Sequence, residues 1–331
     1  MALQDISAYL TNPAQANGAG PVDALMIEKF SGTVSIEEQK ASITDGVFEM
    51  KPMIGTDTMS NAAMGEPTMQ ALIPGVEPEG KSIEVGSAIV QVKNPILARV
   101  TVGMLAQVQD RLDIKGRTPG QFARKIAKTK DEILLHQCVK SGMKATGPGG
   151  ITGFPGGINK ELAAATDELD ATKFEAGIML LAQGLAEQEI DLVDGKLYVA
   201  PAQYFTLLKN DKLTDANFSK ENGNYSQAAV SVTSGMPIVM TNRLSQAADD
   251  GSVEGSNAQM MGANYIVSLE ESDVVGLFAM GESIMVAVSI PLTSDVWWDQ
   301  RLKVWFIDSY LAFGAGPDRS DKTAVLRKYR A

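Results

Sequence analysis

TPGQFARKIAKTKDEILLHQCVKS, residues 118–141, reads as one long capped helix. Thr118 stands at an N-cap position with Gln121 three residues on, the pair of a capping box. Pro119, at the first helical position, gives up an N–H that the first turn leaves unbonded anyway. Phe122, Ile126, Ile133, Leu134, Cys138 and Val139 mark one face, and Arg124, Lys125, Lys128, Lys130 and Lys140 give a basic opposite side. Gly142 closes the helix as a left-handed cap. The rise of about 1.5 Å per residue makes it roughly 35 Å long, generous for an ordinary globular domain.

What precedes it is of another kind. Residues 50–101 form an extended segment of about 50 residues, punctuated by Pro52, Gly55, Gly65, Pro67, Pro74, Gly75, Pro78 and Gly80. Such punctuation forbids a helix. Met69, Ala71 and Ile73 alternate with polar neighbours as in a strand, Pro74 to Lys81 is a turn, and Ile83, Val85 and Ile89 alternate on the way back. The phase breaks at Ile89-Val90, where a bulge is expected, and Val100 and Val102 end the return. The expectation is one long hairpin with about eight residues at its tip. A segment this thin builds no core of its own. Its five methionines, at 50, 53, 59, 64 and 69, are soft, unbranched side chains suited to contacts that change. Met53, Met59, Met64 and Met69, with the tip residues Glu77, Glu79 and Lys81, are the candidates for contact with neighbouring subunits.

Toward the N-terminus, residues 1–21 read as a mobile arm with Thr11-Asn-Pro and Gly18-Ala-Gly-Pro21. Val22 to Met26 allows a turn or two of helix, and Phe30 to Phe48 reads as short strands or extended arm. Met104 to Leu112 is a short helix. After residue 141 comes a flexible glycine loop, 147–157, then a helix over 172–190 capped by Asp170 or Thr172, with Phe174, Ile178, Leu181 and Leu185 on its apolar face. A strand at 196–200, a Pro-led helix at 201–208 and a strand at 238–240 follow. Residues 245–259 are a polar loop, and strands are expected at 265–269 and 274–278. Strands at 284–290 and 302–313 come next, ended by Gly314-Ala-Gly-Pro317, with a last strand at 322–328. The order is α+β, with no regular β–α–β rhythm.

Composition sets outer bounds. The chain has 331 residues, 44% apolar and 21% charged, which is ordinary for a globular protein. Its net charge of −11 argues against gripping nucleic-acid phosphates through the bulk surface, and does not exclude a container that must avoid sticking to nucleic acid inside it. A single cysteine, Cys138, permits no intrachain disulfide. No basic-then-apolar N-terminal stretch and no apolar run of about 18 residues is present, so neither a signal peptide nor a membrane helix is expected.

Signals for catalysis are weak. His136 and Cys138 are two residues apart on a helix and share no face, so they neither bind one metal nor act as base and nucleophile; Cys138 is expected to pack and His136 to point elsewhere. The 147–157 loop lacks the Gly-Lys-Ser/Thr ending of a phosphate cradle and follows a helix instead of a strand, so a hinge or interface loop is the better reading. Glu187 with Glu189, Glu270 with Glu271 and Asp249 with Asp250 show no catalytic spacing, and the acidic loop 249–254 lacks a calcium-loop register. No catalytic residue, cofactor or metal site is expected.

Taken in order, these pieces resemble the major capsid protein of short-tailed double-stranded DNA bacteriophages, with the HK97-like fold. The resemblance is carried by the arm, the extended loop 50–101, the helix 118–141 with Asp131-Glu132-Ile133-Leu134, and the glycine loop. It continues through Lys196-Leu-Tyr-Val-Ala-Pro-Ala-Gln-Tyr204, Ser234-Gly-Met-Pro-Ile-Val-Met240, Val274-Val-Gly-Leu-Phe278 and Tyr310-Leu-Ala-Phe-Gly-Ala-Gly-Pro-Asp-Arg319. Trp297-Trp298 departs from the pattern, and no assured Lys–Asn–Glu set for covalent crosslinking is present; Lys81 at the loop tip reads as a charged turn residue. The resemblance implies an N-terminal arm (1–49), an E-loop hairpin (50–101), a peripheral domain with a spine helix (102–164), an axial domain (165–275) and closing peripheral strands (276–331). It implies hexamers and pentamers closing into an icosahedral shell around double-stranded DNA, assembled in the host cytoplasm. Its implied partners are a scaffolding protein, a portal and, in some shells, a decoration protein. An encapsulin-like compartment of the same fold, and an enzyme holding a phosphate in loop 147–157, are the other readings.

Overall fold

The computed structural model describes residues 22–65, 67–75, 77, 79–80, 82–104, 114–151, 154–210, 223–224, 229–230, 232–244 and 247–330. The expected mobile arm 1–21 and all but the first residue of the expected helix 104–112 lie outside these residues. Two compact units are made from interleaved segments: one takes residues up to 42 with 95–129 and 290–312, the other 43–94, 130–289 and 313–331. Among the described residues no helix is long and apolar enough to cross a membrane.

In the first unit, Val22–Ala41 is a 20-residue helix, where extended chain was expected from Phe30 onward. Phe30, Val34 and Glu38 are buried at every fourth position, so the working period is that of a helix. Phe30 meets Phe122 edge to face, with ring centroids 6.4 Å apart at 86°. The long helix runs Ile114–Met143, so it begins before Thr118 and carries Pro119 inside it, correcting the expected cap. Proline there forfeits one backbone bond in the opening turns. The burial of both Thr118 and Pro119 shows packing outweighing that loss.

Ile96–Gly103 pairs antiparallel with residues 304–311, Arg99 opposite Asp308. It is therefore a strand of this unit's sheet and not the end of the hairpin. Arg99 donates to both carboxylate oxygens of Asp308, each at 2.7 Å. The Trp297-Trp298 pair lies in the strand Ile284–Asp299. Trp297 stacks on Phe306 at 4.4 Å and Trp298 leans on Trp305 at 5.2 Å, as alternation across two faces of a strand requires.

The second unit is built on a six-stranded mixed sheet in the order 158–161, 323–327, 274–279, 196–199, 236–240, 232–233. The pairs 158–161 with 323–327 and 196–199 with 236–240 are parallel; Val274–Ala279 runs antiparallel to both its neighbours. The Ala171–Glu187 helix lies on this sheet's core, with Phe174, Ile178, Leu181 and Leu185 fully buried among Leu197, Val199, Leu207, Phe278 and Leu326. Each such side chain contributes about 1.5–3 kcal/mol. Asp170 caps the helix, its Oδ1 accepting the N–H groups of Thr172 (3.0 Å) and Lys173 (3.3 Å).

Three local expectations change. Residues 263–265 and 269–272 are short helical turns, with only an isolated bridge from Val267 to Asp249 where a strand was expected. Asn257–Met261 is a short helix closing the polar loop, held by the Asp249 carboxylate, which accepts from Gly251 and Ala258 N–H. The strand Val304–Pro317 continues through Gly314 and Gly316 instead of ending there. A Cβ on Gly314 would stand 2.8 Å from the Gln91 carbonyl oxygen, so that glycine admits a crossing strand.

Candidate assembly surface

The hairpin is Thr58–Met64 against Val85–Gln91, antiparallel in unbroken register from Thr58 opposite Gln91 to Met64 opposite Val85. There is no bulge at Ile89-Val90. Between the strands, none of the described residues of 65–84 is in a strand, so the connection is longer than the eight residues expected and the alternation of Met69, Ala71 and Ile73 is not a paired strand. The Gln70 side chain donates to the Glu79 carbonyl at 2.8 Å and draws this connection together.

The two faces of the hairpin differ sharply. Ala88 and Val90 point inward and are buried, with Met59, Asn61, Ala63 and Gly86 half-buried on the same face. Val90 packs with Met53, Met285 and Ala287, and Met59 lies against that cluster. Asn61 Nδ2 donates to Asp318 Oδ2 at 2.8 Å. The root is pinned by Met50–Pro52, which pairs parallel with Val286–Val288, and by the Met53 N–H donating to the Val288 carbonyl at 2.8 Å. The opposite face presents Met64, Val85 and Ile89, each more than 60% exposed. Leu72 and Ile73 in the connection, and Ile54 before the hairpin, are exposed as well. Six exposed apolar side chains thus stand on or beside one thin element, more than scattered surface exposure usually gives.

The contact candidates therefore separate. Met53 is buried and Met59 half-buried within the chain's own core, whereas Met64 is exposed and Met69 almost wholly so, at 96%. Glu77 and Glu79 are exposed, and Lys81 lies outside the described residues. Sequence reading saw the alternation of Val85 and Ile89 with Gly86 and Ala88 but did not name Val85 and Ile89 as contact candidates, since alternation alone does not say which face looks outward. The small residues Gly86 and Ala88 face inward, where the body of the unit lies close.

The groups with catalytic potential are dispersed or spent. Cys138 is fully buried, its Sγ 3.7 Å from Ser283 Oγ, and burial pushes its thiol up to about 12. His136 Nε2 stands 3.4 Å from Glu271 Oε2, a different neighbour. Burial works to raise Glu271, but hydrogen bonds from His136 and the Ser268 N–H, with the nearby Lys140 charge, bring it below its ordinary range. Asp131, buried at mid-helix, accepts from the Ile43 N–H at 2.8 Å, from the Thr44 hydroxyl and from Arg243. Among the described residues no cluster of His, Cys, Asp and Glu is arranged to hold a metal ion. The glycine loop is filled by protein: the Gly149 backbone lies against Gly86 and Ser87 of the hairpin.

Comparison with known proteins gives one family. The profile of the phage capsid protein family matches residues 104–327. Comparison with curated proteins finds no match. Among solved structures, the capsid of cyanophage P-SCSP1u aligns with a TM-score of 0.76 at 17% identity, over 88% of this chain and 89% of that one. The mature capsid of bacteriophage PhiM1 aligns at 0.75 and 18% identity, over 88% of each. A virus-like particle from Pyrococcus furiosus aligns at 0.55 and 10% identity, over 91% of this chain and 99% of that one.

Proposed function

Because the chain belongs to the phage capsid protein family and has the HK97-like fold, we infer that its task is to build a closed shell from many copies of itself. It is a structural capsid protein, and nothing in that role calls for chemistry at a catalytic centre. The finer reading is that six and five copies surround the local symmetry axes of an icosahedral head enclosing double-stranded DNA. In this reading residues 165–275 form the axial domain, and 102–164 with 276–331 the peripheral domain. The outward apolar row of the hairpin carries it: Met64, Val85 and Ile89 are each more than 60% exposed, and nothing among the described residues buries them. Burying three such side chains on a neighbour is worth a few kcal/mol at each copy, at about 25 cal/mol per Å², and a shell repeats that gain at every contact. A scaffolding protein and a portal are the partners this route requires, and the net charge of −11 keeps the inner surface from clinging to packaged DNA.

Electron microscopy of the purified protein at high concentration tests the reading. Shells or ring-shaped capsomers are expected; a strictly monomeric protein overturns it. A cargo-enclosing compartment is the second reading, favoured only by the fold shared with the Pyrococcus furiosus particle. Particles recovered from cells separate the two, since a phage head carries DNA and a compartment carries protein.

A further inference from the structure

We propose that the contact between Gly86 and the glycine loop at Gly149 is a fulcrum on which the hairpin sets its angle, so that one chain serves positions of different curvature. The purpose assigned to the tilt rests on the shell reading above; the fulcrum itself is a property of the single subunit.

Three observations build it. First, the approach is backbone on backbone. A Cβ on Gly149 would stand 2.5 Å from the Ser87 nitrogen and 2.7 Å from the Gly86 carbonyl carbon, and a Cβ on Gly86 would stand 2.9 Å from the Gly149 carbonyl oxygen. The Ile151 side chain reaches in beside it: its Cγ1 lies 2.9 Å from the Gly86 Cβ position and its Cγ2 3.0 Å from that of Gly65. Two bare backbones have no side chains to unlock when one rolls on the other. Second, the hairpin's root rests on a cushion that tolerates movement. Met53, Met59 and Met285 are unbranched and refill a changed gap with little cost, beside Val90 and Ala287. Third, one polar catch holds the strand Thr58–Met64 to the body. Asn61 donates to Asp318 Oδ2 at 2.8 Å, while Asp318 Oδ1 is buried with no hydrogen-bond partner among the described residues. That second oxygen offers the Asn61 amide another place to bond when the hairpin tilts. Fulcrum, cushion and catch lie along one face of one element, and the other face is the apolar row that meets the neighbour.

The test uses the full chain and two substitutions of opposite kind. Gly86→Ala adds bulk at the fulcrum without disturbing an ordinary backbone angle, and Ile151→Ala removes the side chain that reaches into it. Gly80→Ala, in the connection between the two hairpin strands and with open space around it, is the control. On unassembled subunits, amide exchange over residues 58–64 and 85–91 is expected to speed up about tenfold in both variants and to stay unchanged in the control. Shells from Gly86→Ala are expected to fall at least tenfold in yield or to become irregular in size. Unchanged hairpin exchange in Ile151→Ala, or regular shells of wild-type size from Gly86→Ala, overturns the proposal. Because exchange is read before assembly, a wild-type protein that builds no shell at all would sink the shell reading and leave the fulcrum still measurable.

Discussion

Asp131 sits in the middle of the long helix, wholly buried, with Arg243 as its ion-pair partner and the Ile43 N–H and Thr44 hydroxyl as donors. Taking one member from a buried charge pair leaves the other uncompensated, at a cost of about 3–5 kcal/mol. Asp131→Ala is therefore expected to lower the melting temperature by on the order of 10 °C, while Asp131→Leu combined with Arg243→Met recovers most of the loss. A calorimetric scan of the three proteins checks both halves. Cys138 offers a pH test. Its folded thiol titrates at about 12, above its ordinary value, so the folded state keeps a proton that the unfolded state gives up. That contribution is whole below about pH 8.5 and drains away as pH rises toward 12, at about 1.4 kcal/mol per unit. Cys138→Ala should flatten the alkaline fall of stability measured by urea unfolding between pH 9 and 11, and an unchanged slope would refute the assignment. The sequence alone showed that Cys138 packs, since it lies on the apolar face of a helix. It did not show Asp131 with Arg243, because a pair 112 residues apart leaves no local trace.

Among elements, the hairpin divides its labour between faces, and the division can be cut with substitutions. Val85→Lys with Ile89→Lys places two charges on the outward face, where both side chains are about two-thirds exposed, so stability should stay within about 0.5 kcal/mol of wild type. Assembly should be lost, as read by sedimentation. Deleting residues 55–95 is a blunter instrument, because it strips Val90 from Met53, Met285 and Ala287 and opens the body. How legible each element was follows from its pattern. Ala171–Glu187 shows a cap and a clean apolar stripe, and its four core residues were all readable. Val22–Ala41 was not, since Phe30, Val34 and Glu38 are interrupted by Gly32, Thr33 and Ser35, whose β-branching and small size imitate strand. The hairpin's existence was plain from Pro and Gly, but its facing was not, because close backbone packing puts the small residues Gly86 and Ala88 inside.

For the molecule as a whole, charge is the lever. Copies carrying −11 each repel, and the repulsion between exposed charges fades beyond a Debye length of about 8 Å at physiological salt. Shell formation followed by light scattering should accelerate as salt rises from about 0.01 M to about 0.3 M, where an assembly driven by opposite charges would slow. The order of segments along the chain was enough to suggest the family; the pairing of distant strands was not, since no local rule joins residues 158–161 to 323–327. That pairing has a consequence in time. Thr323–Arg327 is an interior strand, flanked by 158–161 and 274–279. During translation both flanking strands emerge first and wait with open edges until residue 327 has cleared the ribosome. The sheet is therefore complete only after residue 327 has emerged, however early its first strands are made.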